Sequence, residues 1–347
     1  MDALTIPADL DALLRIPGVS GYEGPVREHL RARVRDLGPL REDAMGNLTL
    51  TLGDRGPHLL IVGHMDEIGL VVSAIDDDGL VRFEKVGTID DRLLAGHHVE
   101  VHTRAGTLMG VIGATPPHLG GSAGSSPATL AIDLGTEDAA ATRELGVAPL
   151  DPVTFVKEPR VLAGTRLNCR AIDDRVGCAL VLWAARYAAT RPLAARITFA
   201  WSVQEEVGLR GAQALAHAAG GYDFVLPLDA CASTDGPNHP KRLANFPLGR
   251  GPVLRMIDHG SIASFPFARW LDARAREAGV TLQRGVTGGE TDGVPLQTIG
   301  AHMVPLTIPM RYVHSLAETC DLRDVEAARL VLERVVDAAG DLATALK

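Results

Sequence analysis

The sequence predicts an α/β protein with a mostly parallel central sheet, flanking helices and a small inserted β-barrel. Two observations lead to this fold. After residue 168, apolar strands alternate with helical segments, as they do in parallel sheets. Residues 71–167 instead contain many short β-branched runs separated by turns. We therefore expect one domain made of residues 1–70 and 168–347, and an inserted β-barrel domain at residues 71–167.

The first segment predicts one helix followed by two strands. Pro25 suits the start of a helix. The apolar residues after it recur at helical spacing up to about residue 37. Short apolar runs then predict strands at residues 47–52 and 58–63.

The segment from residue 71 to residue 167 lacks a helical period. Its apolar runs are short, and polar turns separate them; examples are VVSAI (71–75), HVEVHT (98–103) and ATLAIDLG (128–135). Many short strands at close spacing are typical of a small barrel or sandwich.

After the inserted segment, helices and strands alternate. The expected elements are a helix at 173–189, a strand at 196–203, a helix at 211–218, a strand at 223–229, a helix at 267–278, a strand at 302–309 and a helix at 322–339. This alternation is typical of a parallel sheet whose connections are helices.

Composition and charge exclude several classes of protein. The chain has 347 residues, a net charge of −9 and no lysine/arginine cluster, so we expect no nucleic-acid partner. The N-terminal segment is too polar for a signal peptide and no apolar stretch is long enough to span a membrane, so we expect a soluble, cytoplasmic protein. Its four cysteines show no C-x-x-C pattern and predict reduced thiols.

Histidines and carboxylates follow the predicted strands. The strand 58–63 leads into His64 and Asp66, and the strand 196–203 leads into Glu205 and Glu206. In open α/β sheets, ligands bind beyond the carboxyl ends of the strands. We therefore expect these side chains to meet at one edge of the sheet.

Further candidates fall at the same predicted edge. Asp229 ends the strand 223–228, His314 follows the strand 302–309, and Asp173 opens the helix after the inserted segment. A set of imidazoles and carboxylates without cysteine suits zinc, cobalt or manganese. The ligands exceed what one ion needs, which predicts two divalent ions sharing a bridging carboxylate.

The adjacent pair Glu205 and Glu206 indicates a division of roles. Neighbours on a strand point to opposite faces, so both can serve one site only just past the strand end. One carboxylate could then bind metal while the other takes a proton from the attacking water. Asp66 could accept the second ring N–H of His64 and fix its tautomer.

Six motifs carry a resemblance to a known family. They are GHMDEIGL, NCRAIDDRVGC, WSVQEEVGLRGA, LPLDA, GGETDG and IPMRYVHSLAE. They resemble the co-catalytic metallo-aminopeptidases that include glutamyl aminopeptidases and tetrahedral TET aminopeptidases, peptidase family M42. The likeness runs through nearly the whole chain. It implies a zinc-peptidase-like fold with an inserted barrel used in assembly, and homo-oligomers that are dimers or tetrahedral dodecamers.

The resemblance also implies residue roles. Two divalent metal ions per subunit, zinc or cobalt or else manganese, would be held by one set of His64, Asp173 and Asp229 and a second set of Asp173, Glu206 and His314. Asp173 would bridge them, with a cis peptide bond to Asp174. Glu205 would be the general base, and Asp66 would orient His64. The reaction would be hydrolysis of the N-terminal residue from peptides with a free N-terminus.

The sequence departs from the family pattern at two places. Leu316 stands where a proline usually follows the His-Ser motif, and the loop 118–130, which in relatives is a mobile flap, is rich in glycine and serine. The preferred N-terminal side chain stays open; a basic residue in the pocket, Arg255 or Arg284, would favour acidic substrates.

The same residues leave three other functions open. A related metal-dependent deacylase or carboxypeptidase could use these metals and would need an arginine, such as Arg311, for a substrate carboxylate. An endoglucanase needs two free carboxyls and an aromatic groove, yet only 4% of the chain is aromatic. An inactive scaffold would be expected to lack at least one of the candidate metal ligands, and none is missing from the sequence. The serine-nucleophile pattern GGSAG at 120–124 lacks the strand and helix that the motif requires.

Overall fold

The computed structural model describes residues 5–116, 118, 126–156, 158–217, 221–236 and 245–344. These residues form a twelve-stranded mixed sheet flanked by helices and a separate closed barrel of six strands. The expected α/β fold with an added barrel is confirmed.

The described elements have the following bounds. The helices are α1 (Ala8–Arg15), α2 (Gly24–Val34), α3 (Ala139–Glu144), α4 (Ile172–Ala189), α5 (Arg210–Ala216), α6 (Phe265–Glu277), α7 (Gly293–Thr298) and α8 (Leu322–Ala338). The sheet strands are β1 (Leu40–Glu42), β2 (Leu48–Leu52), β3 (His58–His64), β10 (Arg160–Val161), β11 (Arg166–Cys169), β12 (Arg196–Ser202), β13 (Phe224–Ala232), β14 (Val253–Ile257), β15 (Gln283–Val286), β16 (His302–Met303), β17 (Leu306–Arg311) and β18 (Glu318–Asp321). The barrel strands are β4 (Gly69–Ile75), β5 (Val81–Val86), β6 (His98–Thr103), β7 (Gly106–Ile112), β8 (Ile132–Asp133) and β9 (Pro152–Phe155).

The centre of the sheet is parallel. Its strand order is β1-β2-β12-β3-β13-β17-β18-β11-β10, and β12, β3, β13 and β17 run in the same direction. The strands on either side of this group pair antiparallel. In the central register Ser202 lies opposite His64. The polar residues that follow β12 therefore lie beside the end of β3.

The helix α4 lies across the central strands and is apolar on nearly all sides. It packs between the sheet and the helices α1 and α8, so it has little surface left for polar residues. Its first turn is irregular, because Asp173 and Asp174 have non-helical backbone angles and a cis peptide bond between them. The expected cis bond is present.

The barrel has its own apolar core. Phe83, Val101 and Phe155 belong to this core, which is separate from the larger core between the sheet and its helices. Leu316, the residue that departs from the family pattern, packs against the barrel core. The exact domain boundaries at residues 71 and 167 stay a prediction.

Two strand predictions were wrong in detail. The strand expected at 302–309 is divided into β16 and β17, because Pro305 between them has no N–H to donate to a neighbouring strand. The strand expected to end at Asp229 continues to Ala232, and Asp229 pairs with Thr307 inside it. Asp229 therefore projects from the sheet itself.

The helices α1 and α7 and the strands β14 and β15 were not predicted, because they are short. In α1 the apolar residues Leu10, Leu13 and Leu14 do recur at helical spacing. In the part of the chain that the structure describes, no helix combines the length and apolar character needed to cross a membrane.

Phe199, at the centre of β12, is fully buried in the larger core. We expect Phe199→Ala to lower the free energy of unfolding by about 3–5 kcal/mol, because it leaves a cavity that the packed layers cannot fill. Met109→Ala on the barrel surface is the control, with an expected change within about 0.5 kcal/mol. Urea denaturation measures both, and equal losses would contradict this account of the core.

Candidate functional site

Three segments bring the first part of the site together. His64 is the last residue of β3, Asp173 lies in the first turn of α4, and Glu205 follows β12. The Nε2 atom of His64 lies 3.2 Å from Oδ1 of Asp173 and 4.0 Å from Oε2 of Glu205. His64 and Asp173 are buried and Glu205 is partly buried, and all three lie at the edge formed by the carboxyl ends of the parallel strands, as the sequence predicted.

His314 brings the second part of the site to the same carboxylate. Its Nε2 atom lies 3.2 Å from Oε2 of Glu206 and 3.7 Å from Oδ2 of Asp173. Asp173 therefore has one carboxylate oxygen near His64 and the other near His314.

The remaining candidate, Asp229, completes the cluster. Three groups have ligand atoms within 4.8 Å of one another: His64 with Asp173 and Glu206; His64 with Glu205 and Asp229; and Asp173 with Asp174 and Asp229. All seven residues singled out from the sequence thus lie together or, for Asp66, directly beside the cluster.

Asp66 contacts both His64 and the turn after β12. Its Oδ1 atom lies 3.4 Å from Nδ1 of His64, and its backbone oxygen lies 3.2 Å from the same nitrogen. Its carboxylate also accepts hydrogen bonds from the backbone N–H groups of Glu205 (3.0 Å) and Glu206 (3.1 Å) and from the hydroxyl of Ser20 (2.7 Å). Asp66 therefore holds the glutamate pair in place, a contact that the sequence did not predict.

The turn after β12 explains how two neighbouring glutamates reach one site. The strand ends at Ser202, and Gln204 has a left-handed backbone conformation with φ of +55°. The chain therefore leaves the strand alternation before Glu205.

Sequence reasoning missed the role of Glu318, which is buried in β18. Its carboxylate accepts hydrogen bonds from the backbone N–H of Asp173 (3.1 Å) and of His314 (3.0 Å). Burial raises its pKa well above the ordinary value. The sequence feature that could have indicated this role is the position of Glu318 four residues after His314.

Asp174 supports the other side of the cluster. Its carboxylate accepts hydrogen bonds from the backbone N–H of His64 (3.2 Å) and of Gly177 (2.8 Å). It therefore connects the end of β3 to the first turn of α4.

The buried carboxylates disturb one another's ionisation. Burial, together with the charges of nearby carboxylates, raises the pKa of Glu205 well above its ordinary value and that of Asp229 to about 8. Burial also raises the pKa of Asp173, but the hydrogen bond with His64 and the nearby charges of His64, His314 and Arg255 together outweigh it, and the net shift is downward. Burial lowers the pKa of His314, but Glu206, with smaller contributions from Asp173 and Glu318, outweighs this and the pKa is raised to about 10. Crowded carboxylates and two imidazoles form a donor set that suits divalent cations.

The cluster opens into a cavity of about 400 Å³. Beyond the cluster its wall includes Arg255, His259, Glu290 and, from the barrel side, Thr88. Arg255 is buried; it donates a hydrogen bond to the carbonyl of Gly288 (2.8 Å) and forms an ion pair with Asp258 (3.2 Å).

Of the two arginines considered for substrate selection, only Arg255 lines the cavity. Arg284 is half-exposed and forms an ion pair with Asp272. Arg311, considered for binding a substrate carboxylate, forms an ion pair with Asp235 at 2.6 Å.

The other sequence features lie away from the site or outside the described residues. His102 contacts the hydroxyls of Thr107 and Thr154 in the barrel. His118 is exposed. The GGSAG pattern at 120–124 and most of the glycine- and serine-rich loop lie outside the described residues.

The chain is similar to known peptidases over nearly its whole length. A family model for M42 glutamyl aminopeptidases matches residues 46–330. The glutamyl aminopeptidase of Lactococcus lactis subsp. cremoris (strain MG1363) is 31% identical, with 94% of each chain covered. The TET1 peptidase of Pyrococcus horikoshii, which can assemble into a tetrahedron or a large octahedral shell, is 39% identical with a TM-score of 0.88, covering 94% of this chain and 98% of that chain. A Thermotoga maritima protein named an endoglucanase is 27% identical with a TM-score of 0.79, and the match covers 97% of this chain and 99% of that chain.

The crowded carboxylates predict that divalent cations stabilise the fold. Zinc added to chelator-treated protein at about one hundred times its Kd should raise the free energy of unfolding by about 2.7 kcal/mol for each ion bound. Asp229→Asn should stabilise the metal-free protein, because it removes a buried carboxylate, and should reduce the gain from zinc. Thermal denaturation with and without zinc measures both effects.

The control for this experiment is Asp54→Asn, which changes an exposed carboxylate. It should leave both the metal-free stability and the zinc gain unchanged. A zinc gain that is equal in wild type and Asp229→Asn would contradict the assignment of Asp229 to the cluster's metal ligands.

Proposed function

The chain belongs to the M42 glutamyl aminopeptidase family, and we propose that it is a dinuclear metal-dependent aminopeptidase that removes the N-terminal residue from peptides. The observation that carries this proposal is the position of Asp173 between two imidazoles. Its Oδ1 atom lies 3.2 Å from Nε2 of His64, and its Oδ2 atom lies 3.7 Å from Nε2 of His314. A carboxylate with one oxygen on each side is what a bridging ligand requires.

The proposed metal sets follow from this arrangement. One ion takes His64, Asp173 and Asp229; the other takes Asp173, Glu206 and His314. Zinc or cobalt suits these ligands, and manganese is the third candidate. When bound, such ions polarise the scissile carbonyl and lower the pKa of a water molecule.

Glu205 is assigned the role of general base. Among the described residues none donates a hydrogen bond to its carboxylate, whereas Glu206 is 3.2 Å from His314. Glu205 lines the cavity, so its carboxylate can take a proton from the attacking water and return it to the leaving amine. Asp66 and Glu318 hold the backbone of the surrounding segments through the hydrogen bonds described above.

The competing functions fit this cavity less well. An endoglucanase groove stacks sugars on aromatic rings, but the described lining residues include no phenylalanine, tyrosine or tryptophan. A carboxypeptidase or deacylase that used Arg311 would have to break its ion pair with Asp235. The complete ligand set argues against an inactive scaffold.

The proposed biological setting follows from the family. The substrates are peptides with a free N-terminus, and the protein acts as a homo-oligomer, a dimer or a tetrahedral dodecamer, in the cytoplasm. The assembly of the Pyrococcus horikoshii relative into closed shells supports the oligomer. Neither nucleic acid nor a membrane is a proposed partner.

The general-base role predicts a specific kinetic defect. Glu205→Gln should lower kcat about 10²- to 10⁴-fold, because the amide cannot accept the proton. The variant should keep two metal ions per subunit. Aminoacyl-p-nitroanilide hydrolysis and metal analysis measure the two effects, with the exposed Glu84→Gln as the unchanged control. A Glu205→Gln enzyme with normal kcat would remove this residue from the reaction.

The buried guanidinium of Arg255 predicts a preference among substrates. Arg255→Gln should reduce kcat/KM for glutamyl-p-nitroanilide relative to leucyl-p-nitroanilide by about tenfold, because a hydrogen bond to a charged group is lost. The substrate ratio cancels any general loss of activity. Arg284→Gln, on the outer surface, should leave the ratio unchanged. If neither variant changes the ratio of kcat/KM for the two substrates, Arg255 does not select the N-terminal side chain.

A further inference from the structure

Outside the metal ligands, one cluster of buried charges has no part in the mechanism. Glu67, Arg170 and Arg175 are each at most 1% exposed in their side chains. Arg170 forms an ion pair with one oxygen of Glu67, and Nη2 of Arg175 lies 3.3 Å from the other. Buried charges are costly unless they are paired, so this arrangement needs an explanation.

The cluster touches the segment that carries His64 and Asp66. Glu67 directly follows Asp66 in the chain. Met65 lies between His64 and Asp66, and its backbone carbonyl accepts a hydrogen bond from Arg175. The position of this turn therefore depends on Arg175 as well as on the strand β3.

The cluster also brackets the segment that carries Asp173. Arg170 lies three residues before Asp173 and Arg175 two residues after it. Both arginines hold the same glutamate, so the irregular first turn of α4 is fixed to the end of β3 from both sides.

Two further segments meet at the same charges. Arg170 donates a hydrogen bond from Nε to the carbonyl of Phe155 (3.0 Å), at the end of the barrel strand β9. The backbone N–H of Gly18 donates to Glu67 (2.8 Å), and a Cβ atom at Gly18 would lie 2.7 Å from Nη2 of Arg175. The cluster thus joins the barrel and the N-terminal segment to both ligand-bearing segments.

We propose that Glu67, Arg170 and Arg175 are positioning residues that set the distance between the His64 and Asp173 segments and so determine how tightly the site holds its metal ions. This inference rests on the proposed dinuclear function. The cluster touches neither substrate nor metal; it acts through the backbone of the residues that do. Groups that orient metal ligands commonly change metal affinity 10- to 100-fold when they are replaced.

The test compares Glu67→Gln with Asp321→Asn. Asp321 is also a buried carboxylate paired with two arginines, Arg166 and Arg323, but it lies at the far end of β18. Both variants should lose thermal stability. Only Glu67→Gln should weaken zinc binding at least tenfold, measured by competition with a chelator, and lower kcat while KM stays within twofold.

Two more variants keep the test decisive if Glu67→Gln does not fold. Gly18→Ala keeps every charge, but its Cβ atom would lie 2.7 Å from Nη2 of Arg175 and 2.9 Å from Cγ2 of Val26, so it displaces the guanidinium together with the Val26 side chain. It should weaken zinc binding in the same direction. Glu67→Asp keeps the charge and should restore part of the zinc affinity relative to Glu67→Gln. Wild-type zinc affinity in the folded Glu67 or Gly18 variants, or an equal loss in Asp321→Asn, would overturn the proposal.

The zinc measurement also separates the two proposals. If the wild-type protein binds two zinc ions but cleaves no aminoacyl substrate, the proposed function fails while the affinity difference still tests the cluster. If activity is present and the affinities are equal, the cluster proposal fails alone.

Discussion

The rest of the site depends on one constraint, the burial of several carboxylates within a few ångströms of one another. Burial raises the pKa values of Glu205, Glu206 and Asp229. Without metal ions, the protein therefore disfavours the state in which all three carboxylates are ionised. Two imidazoles and nearby Arg255 offset only part of it. Divalent cations would complete the balance, and for this reason the fold can keep a charged cluster at the bottom of a cavity.

The parallel sheet supplies these side chains with little help from loops. Because β12, β3 and β13 run in register, the ends of β3 and β12 lie side by side. The backbone N–H groups of the cluster residues Glu205, His64 and Asp173 then donate hydrogen bonds to three further carboxylates, those of Asp66, Asp174 and Glu318. The ligands are therefore positioned by carboxylates that themselves bind no metal in the proposed arrangement. In the proposed arrangement the Glu67 cluster plays a similar part, because its residues bind no metal but contact the segments that carry the ligands.

Much of the fold and the site could be predicted from the sequence, because long apolar elements and polar strand ends leave clear local patterns. The helix α4 is predicted by its long apolar segment, the strands β3 and β12 by their short continuous apolar runs, and His64 and the glutamate pair by their place after strands. The contacts of Glu318 and Glu67 could not be predicted, since each depends on residues distant in the chain. Asp229 was placed at a strand end but lies inside β13, because strand length is set by the neighbouring β17.

Anomalous diffraction from zinc-loaded crystals would show directly whether Asp173 bridges two metal ions, as proposed. We expect two peaks per subunit roughly 3.5–4 Å apart, one on the His64 side of Asp173 and one on the His314 side. A single peak at full zinc loading, or two peaks that do not share Asp173, would contradict this proposal.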